Sequence, residues 1–315
     1  MYQNFYGLRE KPFEITVDPR YFYLSDTHRE ALARLVYSVQ EKKGFAVITG
    51  EAGTGKTTLV QTLLGRLDSN ARTAFLFNPK LDSNTDFLYS ICEDLEVSGE
   101  KGTKVDYLIR LNTFLTECYS KKEDVVVIID EAHTLGPDLL EEVRLLTNLE
   151  NPNGKLLQVI LLGQPELDSI LNRPEFQALK QRINVRYRLK ALNRMETGEY
   201  MKRRLRVAGA RANHLFTPRA IKKIYQYSKG IPRVINTVCD NALVSGYAGG
   251  DETIDTGIIR DVIGDLEGKT PGNRRKFAFA AAGIVGVSLI LGVLYYYGPA
   301  QIGETVRTIG EKIWR

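Results

Sequence analysis

This chain of 315 residues has only three cysteines, Cys92, Cys118 and Cys239. They lie far apart in stretches of helical spacing, odd in number and without metal-ligand spacing. That excludes a disulfide-stapled scaffold and a zinc-bound fold, and leaves reduced, buried thiols. There is no internal repeat and no low-complexity tract, so the chain is neither a solenoid nor a compositionally biased polymer. The opening residues Met1 to Gly7 are polar and aromatic and form no secretory signal. A large excess of charge is also missing. The formal net charge of +5 permits nucleic acid or anionic lipid as a partner without arguing for either. An apolar fraction of 43% is that of a globular protein, and the length suits one large or two modest domains.

What is present begins with residues 50–57, Gly-Glu-Ala-Gly-Thr-Gly-Lys-Thr, which have the spacing GxxxxGK[ST]. The apolar run Phe45 to Thr49 before it reads as a buried strand, and Thr58 to Leu64 after it has helical spacing. A strand that feeds a glycine turn and opens a helix aims backbone N–H groups and the positive helix end at one point, as a polyphosphate requires. Gly50, Gly53 and Gly55 let the backbone close on phosphates without a Cβ in the way. Lys56 reaches β- and γ-phosphate oxygens, and Thr57 offers a hydroxyl to Mg²⁺. The nucleotide-binding set is thus Gly50, Glu51, Ala52, Gly53, Thr54, Gly55, Lys56, Thr57 and Thr58, with ATP and Mg²⁺ as the implied ligands.

A second apolar run, Val125 to Ile129, reads as a central parallel strand and ends in Asp130-Glu131-Ala132-His133. A carboxylate at the C-terminal end of a strand beside a phosphate loop suits Mg²⁺, which assigns Asp130 to the metal with Thr57. Glu131 is the expected general base toward the attacking water. His133 reads either as a sensor of the γ-phosphate or as a satisfied histidine beside the site.

Between and beyond these motifs, strands alternate with helices. Thr27 to Gln40 reads as a helix capped by Asp26 or Thr27. Thr73 to Phe77, Leu157 to Leu162 and Asn184 to Leu189 read as strands, the last at or near an edge. Thr85 to Leu95, Val105 to Tyr119 and Asp138 to Leu149 read as helices. The alternation predicts a three-layer parallel sheet. After Arg194 the strand signal stops, and helices at 196–208, 218–228, 233–247 and 255–266, punctuated by glycine, predict a small helical lid. Three arginines in the first of these, Arg203, Arg204 and Arg206, are either a solvated helix face or phosphate contacts for nucleic acid.

The composition changes sharply at 277–297, a 21-residue stretch without charge. Its length predicts a transmembrane helix, with Tyr295 to Tyr297 at the interface and Lys269, Arg274, Arg275 and Lys276 on the cytoplasmic side. The expected organisation is an N-terminal linker and helix at 1–43, a nucleotide-binding domain at 44–190, a helical lid at 191–268 and a basic linker at 269–276. A span at 277–297 and a tail at 298–315 follow. The tail carries an apolar stripe, Ile302, Val306, Ile309 and Ile313, which lies on a membrane, packs on a partner or frays.

The phosphate loop, Asp130-Glu131 and helical lid together resemble the AAA+ ATPases. Phe5-Tyr6-Gly7-Leu8, Pro12-Phe13, Asp18-Pro19-Arg20, Gly163 to Leu167, Gln181-Arg182-Ile183 and Gly230-Ile231-Pro232-Arg233 resemble the ExeA/GspA type of secretion ATPase over residues 1 to 266. That resemblance implies an α/β P-loop fold with a helical lid and a C-terminal transmembrane helix. It implies an ATP hydrolase anchored in the inner membrane, acting as a homo-oligomeric ring with an envelope secretion or assembly partner. Members acting in secretin assembly carry a peptidoglycan-binding domain after the span. Only 18 residues follow it here, which points to the shorter relatives associated with exopolysaccharide or protein sorting.

Residue by residue, the resemblance implies Gln164 as the polar sensor, Arg182 as an arginine reaching the neighbouring subunit's ATP, and Arg233 as the sensor on the lid. Arg173 and Arg186 compete with Arg182. Pro12, Phe13 and Tyr23 either pack on adenine or seal the core edge. The rival function is a DNA-bound regulator resembling transposition helper ATPases. Nucleic acid is not the expected partner, because those helpers lack a span.

Overall fold

The computed structural model describes residues 1–15, 18–67, 70–77, 83–152, 154–210 and 215–269. The chain divides into two compact units, Met1–Ile263 and Gly264–Arg315. In chain order the first unit starts with α1 (Tyr2–Phe5), α2 (Asp26–Gln40), β1 (Phe45–Thr49), α3 (Lys56–Leu64) and β2 (Arg72–Leu76). It continues through α4 (Asn84–Asp94), α5 (Lys104–Ser120), β3 (Val125–Ile129), α6 (Pro137–Leu146) and the short pair β4 (Glu150–Asn151) and β5 (Gly154–Lys155). Next come β6 (Gln158–Gly163), α7 (Pro165–Leu171), α8 (Gln177–Lys180) and β7 (Val185–Arg188). Four helices close the described chain: α9 (Arg194–Val207), α10 (Pro218–Ser228), α11 (Pro232–Gly249) and α12 (Thr256–Leu266). In the second unit, description ends in a glycine turn at Gly268 and Lys269.

The main sheet is parallel, in the order β2-β3-β6-β1-β7. Its central strands are buried along their whole length, which explains their continuous Val/Ile/Leu runs. Alternate side chains leave on opposite faces. Phe45, Val47, Val125, Val127 and Ile129 join the α4–α8 side, whereas Ala46, Ile48, Val126 and Ile128 join α2 and α3. This gives the three layers expected from the alternating pattern. β1 and β3 lie either side of β6, and both end at the edge of the sheet where Gly50 and Asp130 begin their turns.

Local chemistry fixes the helix starts. Thr103 and Asp106 form a capping box on α5, and Asn193 and Glu196 form another on α9. The cap of α2 is Ser25, one residue before the expected Asp26 or Thr27. Its Oγ accepts the His28 backbone N–H at 3.4 Å.

The N-terminal residues enter the lid. Tyr2, Leu8 and Phe13 share an apolar core with Tyr200, Phe216, Ile235 and Val238. Tyr2 Oη donates to Asp240 at 2.5 Å, and the Phe13 ring meets Phe216 edge-on. Arg204 ties the strap down from α9 by donating to the carbonyls of Pro12 and Glu14. It is buried, with its guanidinium over Tyr21 at 4.7 Å, so Arg203, Arg204 and Arg206 do not form one solvent-facing basic row.

The expected C-terminal transmembrane helix, and the single-pass inner-membrane location drawn from it, are corrected. Among the described residues, no helix is long and apolar enough to cross a membrane. The longest, α11 with 18 residues, carries Arg233 and Asp240 and turns one face into the lid core instead of being apolar all round. The expected span at 277–297 lies outside the described residues, as do the tail at 298–315 and the basic linker beyond Lys269. The fold is an α/β P-loop domain with a helical lid.

Candidate nucleotide site

β1 delivers the chain to Gly50, and Gly55 caps α3 in the left-handed region with φ +96°. Gly53 is also left-handed, at φ +80°. A Cβ there would lie 2.6 Å from Arg233 Cβ, so glycine is required both by conformation and by the lid's approach. The Arg233 backbone N–H donates to the Gly53 carbonyl at 3.3 Å, which joins the loop to the start of α11. Inside the loop, Lys56 Nζ donates to Gly50 O at 2.8 Å and Glu51 O at 3.3 Å. Burial lowers the Lys56 pKa, while Glu131, Asp130 and Glu51 oppose that shift. A phosphate would strengthen the opposing effect.

β3 places the second half of the site. Thr57 Oγ1 donates to Asp130 Oδ2 at 2.6 Å, and Asp130 Oδ1 accepts the Glu131 backbone N–H at 2.8 Å. The hydroxyl of Thr57 and the carboxylate of Asp130 are hard oxygen donors of the type Mg²⁺ takes, so this pair fits that ion. Glu131 is left-handed at φ +52°, a conformation rare for a residue with a Cβ. Its carboxylate accepts from Gln164 Nε2 at 3.3 Å, and His133 Nδ1 stands 3.3 Å from the same oxygen. The Gln164 backbone N–H also points at His133 Nδ1, at 3.5 Å. His133 therefore sits beside Glu131 with its ring nitrogen engaged.

A cavity of about 220 Å³ connects these parts. Ala52, Gly53, Thr54, Gly55, Lys56, Thr57, Thr58, Glu131 and Arg233 line it. Gly50 and Glu51 adjoin it through Lys56, Asp130 through Thr57, and Gln164 through Glu131. Arg182 does not line it. It lies just before edge strand β7, at the end of the sheet where the Asn184 backbone N–H donates to Phe45 O. A five-residue strand separates that end from the phosphate loop, about 16 Å. The Arg182 guanidinium makes no hydrogen bond or ion pair among the described residues; Glu141 and Glu150 are its electrostatic neighbours. Its competitors are engaged. Arg186 donates to Asp168, which also accepts from Thr49 at 2.8 Å, and Arg173 faces Glu175 at 3.9 Å.

Of the three adenine candidates only Tyr23 lines the cavity, while Phe13 is sealed in the lid core. Ile15, Tyr21, Phe22, His28, Tyr200, Arg204 and Asn236 also line it. The spacing of the sequence does not single these out. They meet only because the N-terminal strap crosses the lid before α2.

A P-loop after β1, an acid pair at the end of β3 one strand further across the sheet, and a helical lid over one cavity define an AAA-type nucleotide-binding protein. Residues 39–171 match the AAA domain family. The resemblance to the ExeA/GspA-type ATPases is shown by General secretion pathway protein A of Aeromonas hydrophila, 42% identical over 261 residues. That match covers 82% of this chain and 47% of the relative, so the chain spans about half the length of that protein. Among solved structures, Aeropyrum pernix ORC2 in its ADPNP-ADP complexes has a TM-score of 0.62 at 19% identity, covering 81% of this chain and 71% of that one. Drosophila ORC bound to DNA has a TM-score of 0.63 at 14% identity, covering 96% and 83%. These two likenesses are of fold.

Proposed function

We propose that the cavity binds ATP with Mg²⁺ and that water cleaves the bond between the β- and γ-phosphates there, releasing ADP and phosphate, and that the chain passes the resulting lid movement to a secretion or export machinery. The observation that carries this reading is the meeting of Lys56, the Thr57–Asp130 pair and Glu131 around one cavity roofed by Arg233. Lys56 neutralises phosphate charge, and Thr57 with Asp130 holds Mg²⁺. When bound, Mg²⁺ draws charge from the phosphate oxygens. Glu131 takes the proton of the attacking water, with its carboxylate oriented by Gln164. Arg233 couples the filled loop to the lid through Gly53.

The distance of Arg182 from its own cavity, and the absence of an ion-pair partner for its side chain among the described residues, support a role in a neighbouring subunit's site and therefore a homo-oligomer. The likeness to General secretion pathway protein A supports the secretion setting.

Glu131→Gln tests the chemistry. It should retain ATP and slow turnover about 10²- to 10⁴-fold. Turnover at the wild-type rate would remove Glu131 as the base. Arg182→Ala and Lys56→Ala should each be inactive alone, and mixing them in co-assembled form should restore part of the turnover. No recovery would count against an arginine acting across subunits. In cells, Lys56→Ala should abolish export of the cognate substrate; normal export would contradict the secretion setting.

A further inference from the structure

The strap that crosses the lid ends at α2, and there one side chain turns back to the phosphate loop. His28 is buried, 2% exposed, and lies next to Gly55: a Cβ on that glycine would sit 3.2 Å from His28 Nε2. The ring nitrogens have distinct partners. Nε2 is 2.9 Å from the carbonyl of Thr54, and Nδ1 is 2.6 Å from Ser25 Oγ. A carbonyl only accepts, so Nε2 carries the proton and Nδ1 accepts from the Ser25 hydroxyl. Ser25 Oγ in turn accepts the His28 backbone N–H as the cap of α2. Both nitrogens are therefore satisfied by one neutral tautomer, with the Phe22 ring edge-on at 5.4 Å.

We propose that His28 is a positioning residue for the phosphate loop: its Nε2–H holds the Thr54 carbonyl away from the phosphate space and keeps the Gly55 and Lys56 N–H groups directed into it. The inference rests on reading the cavity as a nucleotide site. Its physical basis is the orientation of one peptide group. Thr54 O belongs to the peptide whose N–H is that of Gly55, and the two ends of a planar peptide point in opposite directions. Anchoring the carbonyl on His28 fixes the N–H on the cavity side. Lys56 follows and opens α3, so a rotation of this peptide would also move its N–H and the helix end. Thr54 Oγ1 cannot substitute, because it is committed to Glu51 O at 2.8 Å. The Thr54 carbonyl would be left buried against an apolar replacement, unpaired or turned toward the phosphates, and either outcome weakens anion binding.

The proposal separates the donor from the ring. In the full chain, His28→Leu keeps the bulk and removes the donor. His28→Gln keeps an N–H that reaches about as far as Nε2, and His28→Asn carries the same amide too short to reach. Binding of mant-AMP-PNP with Mg²⁺ is measured for each at a temperature well below its unfolding transition. His28→Leu and His28→Asn should bind about tenfold more weakly than wild type, and His28→Gln within about threefold. The Asn and Gln pair carries the test if the Leu variant does not fold. Equal affinity of His28→Asn and wild type would overturn the proposal, as would His28→Gln binding as weakly as His28→Asn. Wild type that binds no mant-AMP-PNP would instead overturn the nucleotide reading, and the brace with it.

Discussion

Replacing Gly53 by alanine adds one methyl group at the junction of phosphate loop and lid. Two effects are worked from the geometry. The native φ of +80° costs a residue with a Cβ about 1–2 kcal/mol. The new methyl would lie 2.6 Å from Arg233 Cβ, whereas carbon atoms rest at about 3.5–4.0 Å. The start of α11 must therefore retreat by about 1 Å, and the Arg233 N–H bond to Gly53 O is lost, worth about 1 kcal/mol. Together these come to about 2–3 kcal/mol, or roughly a 4–6 °C fall in Tm for a unit of this size. Thermal denaturation of the nucleotide-free protein reads the stability, and mant-AMP-PNP titration reads the site, where affinity should fall with it. Gly65→Ala is the matched control. Gly65 has φ −68° and its nearest neighbours lie at 3.7 Å, so the substitution should leave Tm unchanged or raise it. A Gly53→Ala protein that melts within about 1 °C of wild type and binds nucleotide equally would refute the loop-to-lid contact.

Arg204→Lys should lower Tm by several degrees, because lysine cannot bond the Pro12 and Glu14 carbonyls together while stacking on Tyr21; proteolysis should then release the N-terminal strap first. His28 gives a pH prediction with a definite sign. Burial lowers its pKa, opposed by the Thr54 carbonyl and Glu196, so its stabilising effect is complete above the ordinary histidine pKa near 6.5. Stability should fall as pH drops through the window below that value, and His28→Gln should lack this part of the pH dependence in a series of melts. The thiols of Cys92 and Cys118 are pushed up to about 11 by burial, and burial also raises that of Cys239 well above its ordinary value. All three should resist iodoacetamide at pH 8 in the native protein and react after denaturation.

Much of the fold was legible because its signals are local. The Val125–Ile129 run is buried on both faces, and the phosphate loop has its letters and its strand–helix flanks in one short segment. The lid helices were legible from their caps and glycines. Elements that depend on tertiary contact were not. β4 and β5 have only two residues each and carry no periodicity. α7 was missed although Pro165 at its first position, followed by Glu166 and Asp168, is a start signal. The acid pair and lysine were readable, since motif spacing encodes them. His28, Tyr21 and Arg204 were not, because their neighbours are 26 to about 190 residues away along the chain. The sequence left Pro12, Phe13 and Tyr23 either on adenine or sealing the core edge; the strap sends Phe13 into the lid core and Tyr23 to the cavity.

Hydrolysis of ATP at contacts between copies of the chain is read out by ATP turnover of the full chain over a range of protein concentrations, with and without Mg²⁺. The expected result is Mg²⁺-dependent turnover whose rate per molecule rises with concentration and disappears in Lys56→Ala. A rate per molecule that is independent of concentration would contradict hydrolysis between subunits, and turnover that survives Lys56→Ala would contradict the site.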